Sequence, residues 1–288
     1  MSHALIVLFF TFGLFLGMLL FLEIGRRAGL RRVKEDSGTA GEGVGAVDGA
    51  VFALLGLLLA FTFSGASSRF DTRRQLIVEE TNDIGTAYLR LDLLPADAQP
   101  TLREGFRRYL DARLEVYRKL PDVAAAKESL AKANALQGQI WRQAVAASRA
   151  EGAPPSAPIL LLPALNAMID ITTTRTMATQ MHPPVVVFVM LFGLALAASL
   201  MAGFGMTGAK MRSWFHVLGF ALVMAIAVYV ILDIEYPRLG LIRVDVFDQA
   251  LIDLSESMNR DTQSSGRNKK TFLTSSRRIK MSVALSRD

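Results

Sequence analysis

Glu79, Asp83, Thr86 and Arg90 follow one another at spacings of four, three and four, with Asn82 beside them. That interval puts the four side chains on one face of an α-helix. Oxygen-bearing side chains on such a face line an ion vestibule or hold a cation; the other reading is a solvated face or one that pairs with another helix. Asn166, Asp170 and Thr174 form a comparable stripe next to Arg175, and the two stripes meet if their helices pack antiparallel. Carboxylates can also do acid–base chemistry, but that needs an enclosing pocket and a shifted pKa. No nucleophile elbow, zincin or kinase signature accompanies them. The chain has no cysteine, and its three histidines, His3, His182 and His216, lack metal-ligand spacing. The expectation is therefore no enzyme, no catalytic residue, no metal site and no cofactor. Gly203-Phe204-Gly205-Met206-Thr207-Gly208 matches a dinucleotide fingerprint by letter. It follows an apolar helix, whereas the motif works only where a strand turns into a helix, so chance is the better reading.

Gly45, Gly49, Ala53, Gly56, Ala60, Ser64 and Ser67 recur at spacings of four, four, three, four, four and three. They put a stripe of small residues on one face of a single helix. Small residues let membrane helices approach closely, so one reading is helix packing. The other is a narrow water-accessible path with Ser64 and Ser67 at its mouth. The two coexist if the helix packs around a symmetry axis. Gly13 and Gly17 form a weaker pair of the same kind.

These residues need elements to hold them. The chain has 288 residues, is 51% hydrophobic and has a mean hydropathy of +0.33. Four apolar runs, about 4–22, 45–68, 184–206 and 213–232, each approach the roughly 20 residues that span a bilayer core. The first is followed by Glu23 and by Arg26 and Arg27 rather than by a small-residue cleavage site, so it reads as a retained anchor. Between the second and third runs every stretch has helical periodicity and none alternates with period two. A helix continues from the second run to about Leu93 and breaks at Leu94-Pro95-Ala96-Asp97, with Asp97 placed to cap the next helix. That helix, carrying Leu102, Phe106, Leu110 and Leu114 on one face, runs to about Leu120. Another starts at Pro121-Asp122, and the last leads from about Ala157 to Gln180. The expected fold is an all-α integral membrane protein: four transmembrane helices with a helical extra-membrane insert between the second and third. The expected divisions are 1–68 first transmembrane hairpin, 69–182 helical domain, 183–233 second hairpin, 234–258 post-membrane segment and 259–288 mobile basic tail.

The formal charge of +6 is unevenly spread. Basic residues cluster after the first run and in the tail, as expected for contact with anionic lipid. Five of them in the connection after the first run place the short connections in the cytoplasm; the tail, with eight Lys or Arg from Arg260 to Arg287, points the other way. His216, inside the fourth run near its end, can reach the interface. Glu23, Asp48 and Asp233 flank their runs as interface markers.

Two stretches resemble a bacterial membrane family labelled bestrophin-like. One runs from Leu54 to Ser64 (LLGLLLAFTFS) and continues through Arg69–Arg74 and Val78–Arg90 to Leu93-Leu94-Pro95; the other is Leu232–Arg243 (LDIEYPRLGLIR). The resemblance implies four crossings with a helical insert, over nearly the whole chain to about Met258. More distantly it implies likeness to bestrophins, which are pentameric anion channels with bulky apolar residues on the second helix as a neck. Phe52, Leu59 and Phe63 are the candidates for that part, although the small-residue stripe departs from the pattern. Bestrophin orientation places the insert in the cytoplasm, opposite to the count in the first connection, and the side stays open.

The function expected is passive ion conduction by a homo-oligomer of the cell (inner) membrane. Gly49, Ala53, Gly56, Ala60, Ser64 and Ser67 would line the path or pack helices, and Glu79, Asp83, Thr86, Arg90, Asn166 and Asp170 would form a vestibule. The alternative is a non-conducting scaffold or sensor whose helical domain binds a partner. Partners are the lipid bilayer, ions of unspecified identity and further copies of the chain, with no nucleic acid.

Overall fold

The computed structural model describes residues 3–35, 44–206 and 214–261. Among the described residues every regular element is helical. The order is α1 (His3–Glu35), α2 (Val44–Leu89), a 3₁₀ turn (Arg90–Leu93), α3 (Gln99–Arg118), α4 (Val123–Ser148), α5 (Ser156–Gln180), α6 (Val185–Gly205), α7 (Trp214–Glu235), a second 3₁₀ turn (Asp245–Asp248) and α8 over 249–261. Four stretches, Ala4–Arg32, Gly45–Leu93, Ser156–Gly205 and Trp214–Glu235, are long and apolar enough to cross a membrane. The chain divides into two compact units, Met1–Arg73 with Met177–Val244 and Arg74–Thr176 with Asp245–Asp288.

In the first unit α1 packs against α6 and α7. Leu14, Met18, Leu55, Ala66, Leu191, Ala195, Ala198, Ala221 and Val228 form its core. The outward faces stay apolar, with Phe9, Phe12, Leu57, Phe61, Val189 and Phe215 exposed, as a hydrocarbon surround requires. Thr11, Thr62 and Ser199 each donate their hydroxyl to the carbonyl four residues back, which satisfies polar groups inside apolar helices. Two glycines set the crossing of α1 and α6. A Cβ on Gly25 would collide with the Leu200 carbonyl, and one on Gly203 with the Leu22 carbonyl. Both obstacles are backbone, so neither can yield without moving a helix.

Gly203→Ala should therefore destabilise the protein by about 1–3 kcal/mol, the usual cost of overpacking. Gly219→Ala, with nothing within 4 Å of its added Cβ, should be neutral or gain up to about 1 kcal/mol of helix propensity. Thermal unfolding in detergent compares the two; equal stability would show that the crossing is not tight.

In the second unit α3 and α4 pack side by side. Ile84, Leu91, Phe106, Leu110, Ile140, Leu161, Leu165 and Met168 make its core, which Leu251 and Met258 of α8 complete. α8 runs on to residue 261; the rest of the predicted tail lies outside the described residues. The break after α2 falls at Leu94, as the sequence indicates, but Asp97 is not the cap. The N-cap of α3 is Ala98 with no side-chain bond, and Gln99 Nε2 donates to the Leu94 carbonyl at 2.9 Å instead. Asp122 does cap α4, accepting the Ala125 N–H at 3.0 Å. Gly152 takes φ +83° in the break before α5, where a side chain would be strained.

Candidate functional site

α2 carries the small-residue stripe, and its two faces differ within the first unit. Leu55, Thr62 and Ala66 are buried, whereas Gly45, Gly49, Ala53, Gly56, Ala60 and Ser64 are all exposed and Ser67 is half-buried. A Cβ added at Gly45, Gly49 or Gly56 would meet nothing within 4 Å. Among the described residues these glycines therefore pack against no other part of the protomer. Phe52 and Leu59 instead pack against the core, Phe52 edge-on to Phe220 at 6.0 Å, and Phe63 is exposed. Gly13 of α1 is open in the same way, while a Cβ at Gly17 would press on Leu196 at 3.1 Å.

Just past its apolar run, α2 is fastened to the first unit by two arginines. Arg69 pairs with the carboxylate of Glu235, which is 1% exposed and also receives His182 Nδ1 at 3.3 Å, with the His182 ring stacked on Tyr236. Arg73 donates to three carbonyls, those of Ala178 (3.1 Å), Met181 (2.9 Å) and Glu235 (2.8 Å). The ends of α5 and α7 leave such carbonyls without intrahelical partners, and a cation there satisfies them and complements the helix dipoles. Next in the chain, Asp233 is fully buried. Its carboxylate accepts the N–H groups of Leu241 (2.9 Å) and Ile242 (2.7 Å) and folds the segment after α7 back on the helix end. A Cβ at Gly240 would collide with that carboxylate. Asp233 is thus a structural clasp and not the interface marker that its place at the end of the run suggests. Glu23 pairs with Arg26 and Arg27, and His216 is exposed.

Within the second unit the extension of α2 is anchored by a buried charge network. Glu80, fully buried, receives Arg113 Nε at 2.5 Å and pairs with Arg175; Arg175 also reaches Asp248 at 3.1 Å. Arg113 donates onward to the Tyr117 hydroxyl at 2.6 Å. Burial alone would push the Glu80 carboxyl up, but the two guanidinium groups outweigh it and hold the acid below the usual carboxylate range. Beside it Tyr109, Gln137 and Thr172 share hydrogen bonds of 2.9–3.1 Å, and burial together with Glu80 pushes the Tyr109 phenol up to about 12.

The expected vestibule residues lie outside this network. Glu79, Thr86, Asn166 and Asp170 are exposed, and Asp83 and Arg90 are half-buried. Arg90 Nη1 donates to the Leu160 carbonyl at 2.5 Å while Glu80 meets Arg175, so the two helices run antiparallel here. The polar stripes nevertheless face solvent; among the described residues no hydrogen bond joins Glu79 or Asp83 to Asn166 or Asp170. Burial, then the charges of Glu79 and Glu80, raise the Asp83 carboxyl above its ordinary value. Among the described residues no group of three or more His, Asp or Glu side chains could hold a metal ion.

The family model for the Bestrophin-like domain matches residues 12–246. The chain belongs to the Bestrophin-like family. Two solved structures share its fold, both of a bacterial bestrophin homolog from Klebsiella pneumoniae carrying a single substitution. One has a TM-score of 0.65 and 15% sequence identity, covering 87% of this chain and 98% of that one. The other has a TM-score of 0.60 and 14% identity, covering 83% and 98%. No curated protein matches the chain.

In this Bestrophin-like chain the second quoted motif, Leu232–Arg243, holds both clasp carboxylates, Asp233 and Glu235. The first holds Arg69, Arg73 and Glu80. The letters of the two motifs do not by themselves reveal these roles. Glu80 had a readable signal: it interrupts the apolar series Ile77, Ile84, Ala87 and Leu91 at helical spacing. Arg113 does the same beside Phe106, Tyr109 and Leu110, and Arg175 beside Met168, Ile171 and Thr172. A carboxylate and two guanidinium groups on buried stripes must find one another or remain uncompensated.

Proposed function

We propose that the protein is a passive ion channel assembled from several copies, with the small-residue face of α2 lining the pathway. In this reading the chain crosses the membrane at about 4–22, 45–68, 184–206 and 213–232. The extensions of α2 and α5 with α3 and α4 form the extra-membrane domain, and Glu79, Asp83, Thr86, Arg90, Asn166 and Asp170 form a vestibule. The observation that carries it is the exposed face from Gly45 to Ser64, where a Cβ added at Gly45, Gly49 or Gly56 meets nothing within 4 Å among the described residues. A face of glycine, alanine and serine gains little by meeting lipid, whose tails are better matched by Phe and Leu. It has a use only against a second copy or against water. Likeness to bestrophin homologs adds weight, because the resemblance implies a channel. The alternative, a scaffold or sensor that does not conduct, assigns the same face to contact between copies alone.

The test is ion flux. In liposomes that hold a trapped ion-sensitive dye, purified protein should let an externally added ion change the dye signal at least tenfold faster than in empty liposomes, at a rate that scales with the protein added. Well-assembled protein that leaves the liposomes tight would remove conduction and leave the scaffold.

A further inference from the structure

We propose that the cleft between the last turns of α1, the first turn of α2 and the end of α6 binds one acyl chain of an anionic glycerophospholipid, with Arg32 holding its phosphate. The cleft has a volume of about 540 Å³ and is walled by Gly25, Ala28, Val47, Leu200, Met201 and Phe204. That size lies within the roughly 300–1,000 Å³ of ordinary ligand sites. It lies beside the tight contact of Gly25 with the Leu200 backbone, both of which line it. Gly25 and Ala28 follow the first apolar run, Val47 opens the second and Phe204 closes the third. In the membrane reading the cleft therefore sits at the level where lipid chains join their headgroups. Its walls offer a hydrocarbon chain dispersion contacts that water cannot replace.

Charge decides which lipid. Gly25, Ala28 and Arg32 are spaced by three and four, so Arg32 shares the face of α1 that lines the cleft. Its guanidinium stands 6.0 Å from the centre of the ring of Phe204, which lines the cleft. Arg26 and Arg27 are already paired with Glu23, while Arg31 and Arg32 are exposed. A guanidinium matches a phosphate with two parallel hydrogen bonds, and basic clefts between membrane helices favour anionic headgroups. Asp48, on the opposite wall, is the acid that lines the cleft among the described residues; it opposes an anion and sets an internal control. The proposal rests on the membrane reading and is independent of conduction.

Native mass spectrometry of the whole protein in detergent tests it, with phosphatidylglycerol and phosphatidylcholine of identical chains added at equal concentration. The expected result is retention of phosphatidylglycerol at one per chain and at least fivefold over phosphatidylcholine. Arg32→Gln should abolish that preference, Asp48→Asn should raise it, and Ala28→Phe, which fills the cleft from an exposed position, should lower retention of both lipids at least fivefold. Arg31→Gln should cost less than twofold. Equal losses from Arg31→Gln and Arg32→Gln would make this a diffuse basic surface and overturn the site. Retention unchanged by Ala28→Phe would do the same, as would displacement of phosphatidylglycerol by an equal amount of free palmitate, which would show a fatty-acid or detergent site.

Discussion

Glu80→Ala should destabilise the protein by on the order of 3–5 kcal/mol, lowering its midpoint of thermal unfolding in detergent by roughly 10 °C. The cost comes from what is left behind. Arg113 is 1% exposed and would keep only the Tyr117 hydroxyl; Arg175 is 4% exposed and would keep Asp248. An unpaired guanidinium in a core costs far more than a missing carboxylate leaves to be regained by packing. Removing both charges of one pair is a different matter. Glu80→Leu with Arg113→Met leaves Arg175 bound to Asp248, and the double variant should recover at least half of the loss of Glu80→Ala. If the double variant is no better than the single, the network is not what makes the position sensitive.

The same pair gives a pH signature. The folded-state pKa of Glu80 lies below its ordinary range, so its contribution is complete above about pH 4.3, the unfolded carboxyl value. It is lost only as pH falls through the lower folded value. Glu80→Gln should flatten that acid limb and leave the neutral region parallel to wild type.

Gly56→Leu should cut flux through liposomes at least tenfold while the oligomer keeps its size. Among the described residues Gly56 is exposed and has nothing within 4 Å of an added Cβ, so a side chain can start there without striking its own protomer. Its four carbons must go into whatever the face meets in the assembled protein. In a narrow lumen they displace water and raise the barrier to an ion, and the walls remain packed elsewhere. Between two closely packed helices they push the copies apart, because a small-residue contact has no slack. The readings therefore separate by chromatography and flux together. Intact size with lost flux supports the pathway; a smaller particle assigns the face to packing, and normal size with normal flux removes Gly56 from both roles.

The long apolar helices and the helix breaks were legible because their signals are local. An apolar run of about twenty residues, a Leu-Pro pair or an Asp at a helix start each states its own consequence. Asp97 shows the limit: a capping residue one position too early, displaced by Gln99 reaching back to Leu94. The small-residue stripe was visible as a period, but which partner it faces depends on neighbours far away in the chain. Exposure among the described residues sets it apart from the core of its own protomer and leaves what it faces to the assembly. The clasps at Asp233, Glu235 and Arg73 were illegible for the opposite reason. Their partners are mostly backbone N–H and C=O groups, which carry no residue type for a reader to match. Glu80 with Arg113 and Arg175 lies between these cases, since three charges on three apolar stripes announce that they are paired but not with whom.

If the small-residue face of α2 meets the conducted ion, a charge placed on it should shift the reversal potential measured across a planar bilayer under a tenfold KCl gradient. Ser64 is exposed near the end of the apolar run, so aspartate there places a fixed negative charge at the mouth of the path. Wild-type protein should carry current, and Ser64→Asp should move the reversal potential towards the potassium equilibrium value by at least 15 mV at neutral pH. Current that persists in Ser64→Asp with an unchanged reversal potential would contradict the account, as would the absence of any current from assembled wild-type protein.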